Sequence, residues 1–217
     1  VSPWLLVALA YLLGSIPFSY IAGRMVKGID LREHGSGNLG ATNTFRVLGA
    51  KVAAPVMLFD VLKGTLPVAL FPHLEHTNDW RWQLAYGAAA IIGHVFSIYM
   101  RFKGGKGVAT SAGVFLGLSP VALGVAFAVW LVVLKMTKMV SASSISGALA
   151  LIVVLLIVPE RTEIRILGLA VAAFVIFAHR SNVGRILRGT EPRFGAKKEP
   201  EATVAAAAVT ADGEKVE

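Results

Sequence analysis

VATSAGVFLGLSPVALGVAFAVWLVVL, residues Val108–Leu134, is the stretch on which the fold turns. As one membrane helix it is too long, because a hydrocarbon core of about 30 Å asks for about 20 apolar residues. As two, it breaks at Ser119-Pro120, where proline removes a helix donor and restricts the residue before it. The first piece, Val108 to Leu118, is then only about 16 Å of helix. It must be short or tilted, or lean on neighbouring protein.

The flanking charges favour the second reading. Working outward, apolar spans run from Trp4 to Ala22, Val52 to Phe71, Gln83 to Met100, Val140 to Val158 and Ile166 to Ala178. With the N-terminus outside and two crossings in 108–134, the inner segments hold 16 Lys/Arg and the outer ones three. A single crossing would put residues 179–185 opposite the other polar segments. The positive-inside rule therefore favours seven crossings, with five or six as alternatives. The fold class expected is an all-α polytopic bundle of about seven transmembrane helices, its polar loops cytoplasmic.

Composition agrees: 55% of the 217 residues are apolar and 16% charged, and mean hydropathy is +0.68. The net charge of +8 would suggest nucleic-acid binding in a soluble chain. Here the basic residues flank apolar spans, so topology accounts for them and no nucleic acid is expected. No cysteine is present, which excludes disulfides, thiolate catalysis and Cys-based zinc sites. The first span has no basic residue before it, whereas Arg24 and Lys27 follow it, so it reads as a retained helix. Residues 1–195 form one expected transmembrane domain. Residues 196–217, Ala-rich and without an apolar face, are expected to be a disordered, dispensable cytoplasmic tail.

Three polar islands interrupt the apolar chain. The first, Gly35 to Arg46, contains Gly35, Gly37 and Gly40 in a G-x-G-x-x-G pattern. It follows a membrane helix rather than a strand, so a dinucleotide site is excluded. Its glycines nonetheless suit backbone N–H contact with phosphate, and Ser36, Asn38, Thr42, Asn43 and Arg46 add donors. The second, Arg101 to Gly107, holds Lys103, Gly104, Gly105, Lys106 and Gly107. It is not a Walker A loop, but it presents two ammonium groups on a glycine-rich turn. The third holds His179, Asn182, Arg185 and Arg188; if helical, the 179, 182, 185 spacing makes one polar face. Ser141 and Ser144 start the span after residue 140, as helix caps or as substrate contacts.

Other polar residues are less decisive. Asp60 and Lys63, at i, i+3 in a span, read equally as a structural pair or as part of the chemistry. His94 reads as a structural histidine. His73 and His76, with Glu75 and Asp79, give poor support for a metal site.

In order and spacing, these segments resemble the bacterial membrane acyl-phosphate:glycerol-3-phosphate acyltransferase family. The likeness rests on Ser36-Gly-Asn-Leu-Gly-Ala-Thr-Asn43 with Arg46, Phe102-Lys-Gly-Gly-Lys-Gly-Val-Ala-Thr110, Val140-Ser-Ala-Ser-Ser144, and His179-Arg-Ser-Asn182 with Arg185 and Gly189-Thr-Glu191. It extends from Trp4 to about Phe194. The resemblance implies transfer of a fatty acyl group from acyl phosphate to the 1-hydroxyl of sn-glycerol 3-phosphate, without acyl-CoA or acyl carrier protein as donor. The products are lysophosphatidic acid and phosphate, in the first step of phospholipid synthesis at the bacterial inner membrane. It implies no cofactor or metal, membrane lipids as surroundings, and functional coupling to an acyl-phosphate-forming enzyme.

Ser36, Arg46, Lys106, His179 and Asn182 are the expected catalytic set. Gly37, Asn38, Gly40, Thr42, Asn43, Lys103, Gly104, Gly105, Gly107, Ser141, Ser144 and Arg185 are expected to bind substrate. Which island takes which phosphate is left open. A phosphate transporter or a lipid-binding scaffold are the competing readings, and the gathering of islands on one face speaks against the transporter.

Overall fold

The computed structural model describes residues 1–77 and 79–194, so the tail expected at 196–217 lies outside the described residues. Among the described residues ten α-helices follow one another: α1 (Pro3–Ser15), α2 (Phe18–Lys27), α3 (Ala41–Leu48), α4 (Ala50–Leu70), α5 (Arg81–Val95), α6 (Val108–Leu118), α7 (Pro120–Thr137), α8 (Val140–Ile157), α9 (Thr162–Ala178) and α10 (Arg180–Leu187). No strand occurs among the described residues.

Among the described residues five segments are long and apolar enough to cross a membrane: Pro3–Lys27, Ala50–His73, Arg81–Met100, Pro120–Thr137 and Val140–Ile157. A sixth is α9 taken with α10, bent by 53° between them. The expected seventh, α6, has 11 residues and falls short of a span by itself. It still carries the chain between the two ends of the bundle. At its far end Ser119 donates a hydrogen bond to Glu160, in the connection between α8 and α9. At its near end the second island folds back inward. Gly104 N–H bonds the Val95 carbonyl at 2.9 Å and Gly105 N–H the His94 carbonyl at 3.2 Å. The helix therefore starts beside the end of α5, already below the surface, and less thickness remains to be covered.

The helices pack through small residues. A Cβ on Gly14 would collide with the Ala90 carbonyl, and one on Gly93 with the Tyr11 carbonyl, which seats α1 on α5. Gly64 meets Thr110 and Gly113 meets Val61 in the same way, which seats α6 on α4. Close backbone approach of this kind replaces the hydrophobic drive that lipid surroundings remove. The main core joins α4 through α9, with Phe115, Val114 and Leu155 fully buried at its centre. Pro17 separates α1 from α2, and the Ile16 carbonyl at the break accepts a hydrogen bond from Lys63 at 2.9 Å.

Candidate active site

The first island is a loop pinned by one side chain. Asn43, on α3, donates to the Leu31 and His34 carbonyls at 3.1 and 3.0 Å and accepts the Ser36 N–H at 2.8 Å. Gly35 and Gly37 take positive φ of 64° and 70°, which only glycine adopts cheaply. Gly37 N–H bonds the His34 carbonyl and Gly40 N–H the Asn38 carbonyl. The Ser36, Gly37 and Gly40 amides are thus used within the loop, and Asn43, which also lines the cleft, holds its shape. The Ser36 and Thr42 hydroxyls and the Asn38 amide remain on the cleft. Arg46, one turn along α3 from Asn43, lies on the cleft with no hydrogen bond or ion pair to another described residue.

In the second island, Lys106 and Gly107 line the cleft, whereas Lys103, Gly104 and Gly105 do not. Gly104 and Gly105 are packed against His94, and there a Cβ would overlap it. Their glycine requirement is a packing requirement. Gly37 also lies off the cleft.

The third island is organised by a residue outside the expected set. Glu191 is buried and accepts from Ser141 Oγ at 2.6 Å, Asn182 Nδ2 at 2.7 Å and Arg185 Nε at 2.7 Å. Burial alone would raise its pKa, yet these three donors hold it below the ordinary glutamate value. The other end of the Asn182 amide accepts from Lys106 Nζ. One network therefore joins α8, α10, the second island and the residues after α10. Its signal in the sequence is a solitary carboxylate six residues after Arg185, in the Gly189-Thr-Glu191 segment.

Lys106 sits outside the spanning segments, with titration set by its burial and the neighbouring charges. Burial first, then the positive charge of Arg185, lowers the Lys106 ammonium to about 8. His179 stands at the break between α9 and α10, close to the Lys106 charge. Its Nδ1 lies 2.7 Å from the Val175 carbonyl, which can only accept, so Nδ1 carries the proton. Nε2 is left as the proton acceptor of a neutral ring on the cleft.

The three islands and the start of α8 converge on one cleft of about 1080 Å³. Its polar end presents Ser36, Thr42, Arg46, Lys106, His179 and Arg185, with Ser144 nearby; its other end is apolar, lined by Phe115, Leu123, Phe127, Trp130, Leu131 and Leu151. Trp130 Nε1–H reaches Ser144 Oγ at 3.4 Å, at the boundary of the two ends. Cations that meet an apolar trough suit a ligand with an anionic head and a hydrocarbon tail.

Comparison with known proteins agrees with that shape. The profile of the family described as Glycerol-3-phosphate acyltransferase matches residues 4–189. A glycerol-3-phosphate acyltransferase of Synechococcus elongatus is 47% identical over 193 residues, covering 86% of this chain and 92% of its own. One from Bacillus subtilis is 47% identical over 189 residues, covering 87% and 96%. The crystal structure of PlsY (YgiH), an integral membrane glycerol 3-phosphate acyltransferase, in its glycerol 3-phosphate form superposes with a TM-score of 0.83 at 37% identity, covering 90% of this chain and 96% of that one. Its lysophosphatidic acid form gives 0.80 at 36% identity. The chain belongs to the family of integral membrane glycerol-3-phosphate acyltransferases.

Proposed function

We propose that this enzyme transfers a fatty acyl group from acyl phosphate to the 1-hydroxyl of sn-glycerol 3-phosphate, yielding lysophosphatidic acid and inorganic phosphate. The observation that carries this reading is the cleft itself, where Arg46, Lys106 and Arg185 surround one end of an apolar trough. Two phosphates must be brought together for a hydroxyl to reach an acyl carbonyl, and fixed cations neutralise their repulsion. The trough holds the acyl chain between helices, toward the inner leaflet.

Acyl phosphate is a mixed anhydride with phosphate as leaving group, so no covalent enzyme intermediate is needed. The glycerol oxygen attacks the acyl carbon, its bond to the phosphate oxygen breaks, and phosphate leaves with the electron pair. The hydroxyl proton passes to His179 Nε2 and from there to the departing phosphate or to solvent. Ser36 and Thr42 with the start of α3 hold one phosphate; Lys106, Arg46 and Arg185 hold the other. Asn182 positions Lys106, and Ser141 positions Glu191. The site faces the cytoplasm of a bacterial inner membrane, with the N-terminus outside and the C-terminus inside. A separate enzyme that forms acyl phosphate supplies the donor, and the product opens phospholipid synthesis.

The test uses purified protein in lipid vesicles with palmitoyl phosphate and glycerol 3-phosphate, and palmitoyl-CoA as the alternative donor. Lysophosphatidic acid and phosphate should appear one for one with palmitoyl phosphate and not with palmitoyl-CoA. Arg46→Ala and Lys106→Ala should each lower turnover by about 10²–10³. Product from palmitoyl-CoA alone would overturn the donor assignment. For His179→Gln, an unchanged turnover number would remove the general-base role.

A further inference from the structure

Asp60 and His94 line the cleft, with Lys63 paired to Asp60, and the acyl transfer proposed above leaves this ionisable group unused. Asp60 and Lys63 are 2% and 3% exposed and pair at 2.8 Å. His94 Nδ1 stands 3.6 Å from the same Asp60 oxygen. Charges inside a spanning helix are costly, and each needs a compensating arrangement. Lys63 has one on its far side, the Ile16 carbonyl at the Pro17 break.

On the other side of His94 comes the second island. The His94 carbonyl holds Gly105 N–H, and its Nε2 lies so close to Gly105 that a Cβ there would overlap it. The same Cβ would overlap the Leu39 carbonyl, which belongs to the first island. Gly105 is therefore clasped between His94 and Leu39. A continuous line of contacts runs from Ile16 through Lys63, Asp60, His94 and Gly105 to Leu39. Lys106 follows Gly105 directly, and Arg46 sits on the helix that follows the first island.

We infer that His94, seated on the Asp60–Lys63 pair, is a positioning residue that sets the spacing between the first and second islands, and so between Arg46 and Lys106. The imidazole acts as a spacer of fixed thickness. Without it the second island settles toward Asp60 and the two islands lose their register. Each cation can still find its phosphate, so substrate affinity changes little. The approach of hydroxyl to acyl carbon suffers, because an error of about 1 Å in such a geometry costs about 10²-fold in rate.

The absence of cysteine makes the spacing directly measurable. Spin labels on Glu33→Cys, exposed beside the first island, and Phe102→Cys, exposed within the second, report it by dipolar electron spin resonance. In the His94→Ala background the interlabel distance distribution should broaden. The turnover number should fall at least about 10-fold, with KM for glycerol 3-phosphate within about 3-fold. His94→Gln should be intermediate. The paired variant Asp60→Asn with Lys63→Met guards against a folding failure, since it strands no single charge. It should melt near the parent yet show the broadened distribution.

A distribution and turnover number unchanged in His94→Ala or in the paired variant would overturn the spacing role. So would a fall in turnover with a parent-like distribution. The kinetic part rests on the acyl-transfer reading. If the parent made no lysophosphatidic acid, the distances would still decide, broadening in support and constancy against.

Discussion

Glu191 illustrates how one buried carboxylate can set the chemistry of residues it holds. It takes three donors from three places in the chain, and through Asn182 it also fixes Lys106. Hydrogen bonds to a charged group contribute about 1.5–3 kcal/mol each. Glu191→Gln retains the shape but loses the charge that Arg185 needs; the expected result is a kcat/KM at least about 10-fold lower and a measurable drop in melting temperature. Lys106 gives a pH signature. Its ammonium, lowered to about 8, is cationic below that pH and neutral above it. The charge proposed to bind phosphate is thus lost as pH rises, and kcat/KM should fall above about pH 8. Because kcat/KM reports the free enzyme, Lys106→Arg should keep the alkaline limb flat to the highest pH the vesicles tolerate, whatever its effect on absolute rate.

At the scale of helices, the pairing of α4 with α6 is the contact to probe. Gly113 packs on the Val61 carbonyl and Gly64 on the Thr110 carbonyl, so the two backbones touch at both points. Gly113→Ala forces the two backbones apart, and overpacking of this kind costs about 1–3 kcal/mol; a lower melting temperature in detergent is the expected readout, and an unchanged one would show that α6 shifts freely. Hydropathy sufficed to place the long helices, and the Ser119-Pro120 break was visible because proline leaves a local mark. The length of α6 was not explicable from sequence, since the inward fold of Gly104 and Gly105 beside His94 is a tertiary contact. The same limit governs the site. A glycine that clears space for a neighbouring ring reads like one that clears space for a phosphate, so Gly104 and Gly105 looked like binding residues. That Asn43 would also pin the first island was not legible, because an amide's partners lie far along the chain. Glu191 sits in the quoted Gly189-Thr-Glu191 segment, but nothing local says that Ser141 will meet it.

For the whole molecule, the arrangement of the islands on one side makes a topological prediction. Single cysteines placed at Thr77 and at Arg188 should label from opposite faces of sealed vesicles, with Arg188 reached from the cytoplasmic side; labelling from the same face would refute the orientation. A chain ending after Gly195 should keep its acyltransferase activity, as measured by lysophosphatidic acid formation, because the family match ends at 189 and Glu191 is retained. That last residue has a further consequence. The network that seats Lys106 closes only when Glu191 arrives, and Phe194, which stacks on Phe45 and bonds the Lys138 carbonyl, follows it. Chains are made and folded from the N-terminus onward. A nascent chain, even one with most helices already inserted, therefore does not hold Lys106 in this network until Glu191 has been made.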